Sequence, residues 1–278
     1  MNVTPPMTTA TSVPSAVPTS ARVETIDTTR PGVPMTRLIA VELRKLVNTR
    51  AGLWLVLSIG IVSALITTAL LIWGEDRDLV FGNMFGLMNI PTGFLLPVLA
   101  ILLVTSEWGQ RTGLVTFTLE PRRSRVVVAK LATALVAAVG AVLVALTFGA
   151  IGNLLAGVFH DGPAGDWDMT LAGLSNSVML QLFALLMGFA FGMLIRNSAA
   201  AIVLYFVIPT IWSILAAVIP WVRDHLQKWA DFSFAQQPFQ SGEWATREEW
   251  AHLATSGTIW LVLPLVVGIW LLLRSEVK

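Results

Sequence analysis

The chain has 278 residues, 55% of them hydrophobic and only 13% charged, against about 25% charged in an average soluble domain. That composition, with a mean hydropathy of +0.73, excludes a soluble globular domain and predicts a protein that crosses the bilayer several times. The complete lack of cysteine excludes disulfides, thiolate metal sites and cysteine nucleophiles.

Residues 1–34 are rich in Thr, Pro, Ser and Val and hold six of the fourteen prolines. They show no apolar periodicity, so burial cannot offset their ordering entropy, and disorder is expected. A basic n-region and an apolar h-region are both missing, which argues against a secretory signal. From Met35 to Arg50 the sequence predicts a basic amphipathic helix. Ile39, Leu43, Leu46 and Val47 share one face, Arg37, Arg44, Lys45 and Asn48 the other, and Val41 is misplaced. Such a helix suits the headgroup layer, either as a lipid anchor or as one that also touches a cytoplasmic partner.

Six apolar runs then follow: Ala51–Trp73, Met84–Thr105, Leu131–Val158, Ser177–Ile195, Ala199–Trp221 and Ala254–Leu273. Each approaches the length that crosses a ~30 Å hydrocarbon core. The second carries Pro91 and Pro97, with Gly82, Gly86 and Gly93 on and before it. It should be a kinked helix inside the bundle, since prolines free carbonyls that neighbours must satisfy. Its Asn83, Asn89 and Thr92, with Gln181 of the fourth run, could line a substrate path or simply hold helices together. Arg196-Asn197-Ser198 is a tight connection, and Asn197 or Ser198 can cap the fifth helix. Residues 222–253, with Trp229, Trp244 and Trp250, suit short helices at the outer interface.

The charges are sorted. With the N-terminus inside, fourteen of the eighteen Lys and Arg residues fall on the cytoplasmic side, leaving Arg77, Arg223, Lys228 and Arg247 outside. The positive-inside rule therefore predicts cytoplasmic termini. Because the basic residues are sorted by side, no nucleic-acid partner is expected. Between the second and third runs, residues 107–130 read EWGQRTGLVTFTLEPRRSRVVVAK; their five basic residues place them inside, and their length is enough for a structured loop. Ser124 is the expected N-cap of the helix that follows, with Pro121 shaping its entry. Glu107, a carboxylate where a span meets a basic loop, needs a partner within the loop, on the amphipathic helix or on another subunit.

Chemistry is nearly absent. The apolar cores contain no Asp, Glu, Lys, Arg or His, which argues against proton-driven transport and intramembrane acid–base catalysis. HExxH and G-x-x-x-x-G-K-[ST] are both missing. Glu248-Glu249 lacks the arginine of a Glu-Glu-Arg protease motif, because Leu253 stands where it would be. Asp161, Asp166 and Asp168 read as a solvated turn. No metal, cofactor or catalytic residue is expected.

The order of features resembles the membrane-spanning permease subunits of bacterial ABC-2 type transporters. An amphipathic segment ends in VELRKLVNTRAG, six runs follow, the loop begins EWGQRTG and continues EPRRSRVVVAKL, and the chain closes on LLLRSEVK. The resemblance covers residues 35–278. It implies an all-α, six-span protein in the bacterial plasma membrane with an interfacial elbow helix at 35–50, including Arg37, Glu42, Arg44, Lys45 and Arg50. It also implies a coupling helix within 107–130 that docks on a separate ATPase through Glu107, Gly109, Arg111, Thr112, Gly113, Pro121, Arg122, Arg123, Ser124, Arg125 and Lys130. Short outer helices would precede span six. Six spans would be half a translocation unit, completed by a second copy or a related permease, with membrane lipids around it. Such a subunit exports cargo, here of hydrophobic or amphipathic character, using a partner's ATP hydrolysis. The rival reading is an ATP-independent membrane protein such as a lipid scramblase, an immunity protein or a sensor.

Overall fold

A computed structural model describes residues 33–109, 116, 118, 120, 122–160 and 164–274 of this chain. Arg111, Thr112, Gly113, Pro121, Asp161 and residues 1–32 of the tail lie outside them. Among the described residues all regular structure is helical, and six helices are long and apolar enough to cross a membrane.

Helix α1 (Met35–Asn48) meets α2 (Arg50–Trp73) at a one-residue elbow, Thr49, which is extended and whose side chain accepts the Gly52 N–H. That cap satisfies one of the donors a new helix leaves open. The bend is tight enough that a Cβ on Gly52 would overlap the Leu46 carbonyl oxygen. On α1, Leu46 is buried, Ile39 and Leu43 are half-buried, and the misplaced Val41 is exposed.

Helix α3 (Phe81–Gly109) carries both prolines and lies centrally, with Leu96, Leu99, Ala100, Leu103 and Val104 buried. Helix α4 (Arg123–Phe159) turns small residues inward, Ala134, Ala138, Ala141 and Ala145 among them. Helices α5 (Leu171–Ile195) and α6 (Ser198–Val218) form the hairpin, and Asn197 caps α6 by accepting the Ala200 N–H. In lipid, apolar burial gives little drive between helices, so close packing must hold them. Gly188 of α5 provides it: a Cβ there would lie 2.6 Å from the Pro97 carbonyl oxygen of α3.

Short helices α7 (Pro220–His225), α8 (Gln227–Ala230) and α9 (Phe232–Ala235) and a 3₁₀ turn (Gln237–Gln240) precede the last crossing. That crossing is α10 (Arg247–Gly257), a π-helical segment (Thr258–Val262) and α11 (Leu263–Arg274). Thr246 and Glu249 close a capping box at its start.

Several helix ends differ from the ends of the apolar runs. The third crossing begins at Arg123 rather than Leu131, the fourth at Leu171 rather than Ser177, and the sixth at Arg247 rather than Ala254. Polar residues mark where a helix leaves lipid, not where its hydrogen bonds stop. The fifth ends earlier, at Val218, because Pro220 opens a new helix after extended Ile219. Ser124 is not the N-cap of α4. Arg122 holds that position without a side-chain cap bond, and Ser124 is exposed in the first turn.

Candidate functional site

Where α1 crosses the adjoining ends of α3 and α4, four charged side chains meet. Lys130 of α4 is the hub. Its Nζ lies 2.8 Å from Glu42 Oε2 and 2.8 Å from Glu107 Oε2, and it donates to the Leu103 carbonyl oxygen at 2.7 Å. An ammonium has three donors, and here three close oxygens receive them. Lys45 closes the cluster from the half-exposed side, 2.7 Å from Glu42 Oε1 and 3.4 Å from Glu107 Oε1. The Ser106 hydroxyl lies 2.9 Å from the Leu103 carbonyl oxygen and 3.3 Å from Glu107 Oε2, and can donate to either. The side chains of Lys130, Glu42 and Glu107 are only 4%, 6% and 2% exposed.

Two carboxylates and two ammoniums give a neutral set, which is what makes the burial tolerable. Burial by itself would raise the Glu42 carboxyl, but the Lys130 charge and the hydrogen bonds from Lys130 and Lys45 outweigh it and hold Glu42 below its ordinary value. Burial likewise opposes the charge on Lys45, yet Glu42 and then Glu107 push it above its ordinary value. The cluster therefore ties three helices through fixed charge pairs, and α1 cannot shift without breaking one of them.

Several residues expected on a docking surface are thus turned inward. Glu107 and Lys130 face each other and the elbow helix because a charge leaving water at a helix end must find its counterion close by. Arg123 donates to the Leu272 carbonyl oxygen of α11 at 2.6 Å, and Arg125 donates to Glu120 Oε2 at 3.0 Å. Gly109 ends α3, and Arg122 and Ser124 are exposed. On α1, Arg37 and Arg44 are exposed, as is Arg50 at the start of α2.

Arg196, at the turn between α5 and α6, is the opposite case. Its Nε and Nη2 are buried without a hydrogen-bond partner, its guanidinium lies 5.5 Å from the Trp108 ring, and its backbone is left-handed with φ 55°. Burial, and then the nearby Arg123 charge, lower its proton affinity. Composition gives no signal for this residue beyond its place in a three-residue connection.

The second cluster lies farther along α3. Gln181 of α5 donates through Nε2 to Thr92 Oγ1 at 2.6 Å and to the Asn89 carbonyl and Oδ1, each at 3.0 Å. It borders a cleft of about 1120 Å³ between α3, α5, α6 and the segment leading to the last crossing. Asn83 also borders the cleft but joins no cluster, since its amide donates to the Arg77 carbonyl oxygen. Asp168, expected in a solvated turn, accepts the Gly82 N–H at 2.9 Å and so anchors the start of α3.

No protein-family model matches the chain, and no curated protein matches it.

Proposed function

We propose that this chain is the membrane-spanning permease subunit of an ABC-2 type transporter, most simply an exporter of an amphipathic cargo, driven by a separate ATPase subunit. The observation that carries this reading is the Glu42–Lys130–Glu107 tie. The elbow helix and the two helices flanking the 107–130 loop are bound by charge pairs at 2.8 Å in a nearly dry setting. A push on that loop would move the ends of α3 and α4 together with α1, instead of being absorbed by a soft joint. Helix α3 would carry the displacement past Pro97 to Asn89 and Thr92, where it meets Gln181 beside the cleft. The sequence supports a partner as the energy source, because it contains no phosphate-binding loop.

In this reading Arg122 and Ser124, both exposed beside the loop, face the ATPase, and a second copy or related permease completes the unit. The basic end of the bundle lies in the cytoplasm. The test is reconstitution. The chain alone in nanodiscs should neither bind nor hydrolyse ATP, and a Walker-motif ATPase from the same source should bind it and crosslink to Ser124→Cys. Hydrolysis by the isolated chain, or cargo movement indifferent to any ATPase, would overturn the proposal. The latter result would favour an ATP-independent scramblase.

A further inference from the structure

The cleft beside Gln181 has the size of a ligand site, and the charged side chains among its described lining residues are all acidic. Among the buried side-chain polar atoms of the described lining residues, one stands without a partner. Gln181 is 3% exposed, and its Oε1 is buried with no partner. The amide orientation is fixed by what it faces. Asn89 presents two oxygens to Nε2, and the Thr92 hydroxyl spends its own proton on the Met88 or Asn89 carbonyl. Turning the amide over would set Oε1 against those Asn89 oxygens. Asn89 in turn donates its Nδ2 to the Phe85 carbonyl oxygen. An acceptor is therefore left over on Gln181, and a buried unmet acceptor costs about 1–3 kcal/mol until something donates to it.

The walls are mixed: Phe94 and Phe206 stand on the side of α3 and α6, while Ser177, Thr210, Ser233 and Gln236 add neutral polar groups. Phe94 stacks on Phe206 at 5.8 Å, yet Phe94 and Ile90 are both more than half exposed, so the cleft is also open sideways between α3 and α6. At one end stand two carboxylates, Asp78 and Asp168, and among the described residues no Lys, Arg or His lines the cleft. From Gly82, which Asp168 holds, to Asn89 the helix rises roughly 10 Å at ~1.5 Å per residue.

We propose that this cleft binds a hydrophobic amine. The protonated nitrogen sits by Asp78 and Asp168, the apolar body lies along Phe94 and Phe206, and a hydroxyl or N–H at the far end donates to Gln181 Oε1. Carboxylates and aromatic faces both favour a cation, and the described lining residues include no cation to attract an anion. The sideways opening admits a molecule that partitions into the bilayer before it binds. This names a cargo class for the proposed transporter, but the binding itself needs no ATPase.

The test therefore uses the isolated full chain in lipid nanodiscs, with calorimetric titration corrected for partition into empty discs. Three matched probes share one biphenyl body: an aminomethyl-hydroxybiphenyl, the same amine without its hydroxyl, and a hydroxybiphenyl carboxylate. The hydroxylated amine should bind tightest, the amine without hydroxyl roughly tenfold more weakly, and the carboxylate weakest. Asp78→Asn with Asp168→Asn should weaken both amines by roughly tenfold, as the loss of two partly exposed charge interactions would. Asp168→Asn retains an oxygen for the Gly82 N–H. Gln181→Met should erase the advantage of the hydroxyl, so that the two amines bind alike. If Gln181→Met does not fold, the probe ranking on the unaltered chain decides. Equal binding of all three probes, or preference for the carboxylate, overturns the proposal, and because no ATP is involved neither result bears on whether an ATPase drives the chain.

Discussion

The polar cluster beneath α1 and the polar cluster beside the cleft share helix α3 but are built to different standards. Under α1, each donor of Lys130 meets an oxygen at 2.7–2.8 Å and both carboxylates are answered by cations. Beside the cleft, Gln181 spends its donors and keeps an acceptor in reserve. A closed cluster can only hold helices, because any ligand would have to displace a partner. An open one has something left to offer. Buried polarity alone does not mark a binding site, and it is the unmet acceptor on a cleft-lining residue that calls for an explanation.

The largest effects should come from opening the closed cluster. Glu107→Ala leaves the buried cluster with one positive charge in excess and should cost about 3–5 kcal/mol, as should Lys130→Met, which leaves one negative charge in excess. Changing both together leaves Glu42 and Lys45 as a neutral pair. The double variant should therefore recover much of the loss, and thermal unfolding of the four proteins gives the coupling energy directly. Additive losses would mean the pairs are not the tie described here.

A smaller effect should follow from prying the shared helix loose between the two clusters. A Cβ on Gly188 would approach the Pro97 carbonyl oxygen to 2.6 Å, so Gly188→Leu should destabilise by roughly 1–3 kcal/mol through overpacking. Because the displaced helix bears both clusters, amine binding and the release of α1 should change together. A variant that alters one and spares the other would show that α3 does not transmit between them.

Acid sharpens the contrast further. Glu42 is held below its ordinary value of 4.5, so its contribution is complete above that pH and is lost as the pH falls through the lower folded value. Lys45 is raised above its ordinary 10.5, so its contribution is complete below that pH and is lost as the pH rises through the higher folded value. Docking of α1, followed by a fluorophore on Val41→Cys, should be level between these limits and weaken in acid. Glu42→Gln should flatten the acid limb.

Much of this is legible in the sequence, and what is not has a common cause. The elbow helix shows itself by periodicity, the six crossings by apolar length, and Glu107 by its need for a counterion. Its partners stay hidden because Lys45 and Glu107 are 62 residues apart and Glu42 and Lys130 are 88 apart. Periodicity reports which face of a helix is wet, not which other helix dries it. For the same reason periodicity assigns Lys45 to the solvent face, although the cluster claims it. Of the four polar residues expected along a path, Asn89, Thr92 and Gln181 do converge, while Asn83 bonds to the Arg77 carbonyl just before its own helix. Three polar residues in apolar surroundings are a usable signal, but the empty space beside them leaves no mark in the sequence.

The smallest expected effect concerns Arg196, whose cost has a backbone part and a side-chain part that two variants can separate. At φ 55° a residue with a Cβ is strained, and only glycine adopts this region freely. Arg196→Ala keeps the Cβ and removes the guanidinium, so it relieves the buried Nε and Nη2 but not the backbone. Arg196→Gly relieves both. Gly should therefore be more stable than Ala by roughly 1 kcal/mol in thermal unfolding, a difference that belongs to the backbone alone. The offset between Ala and the unaltered chain then isolates the side chain. If Ala stabilises, the orphaned donors cost more than the contact with Trp108 returns; if Ala destabilises, the cation–π contact at 5.5 Å outweighs them. Equal stability of the Gly and Ala variants would mean that the turn relaxes out of the left-handed region once the arginine is gone.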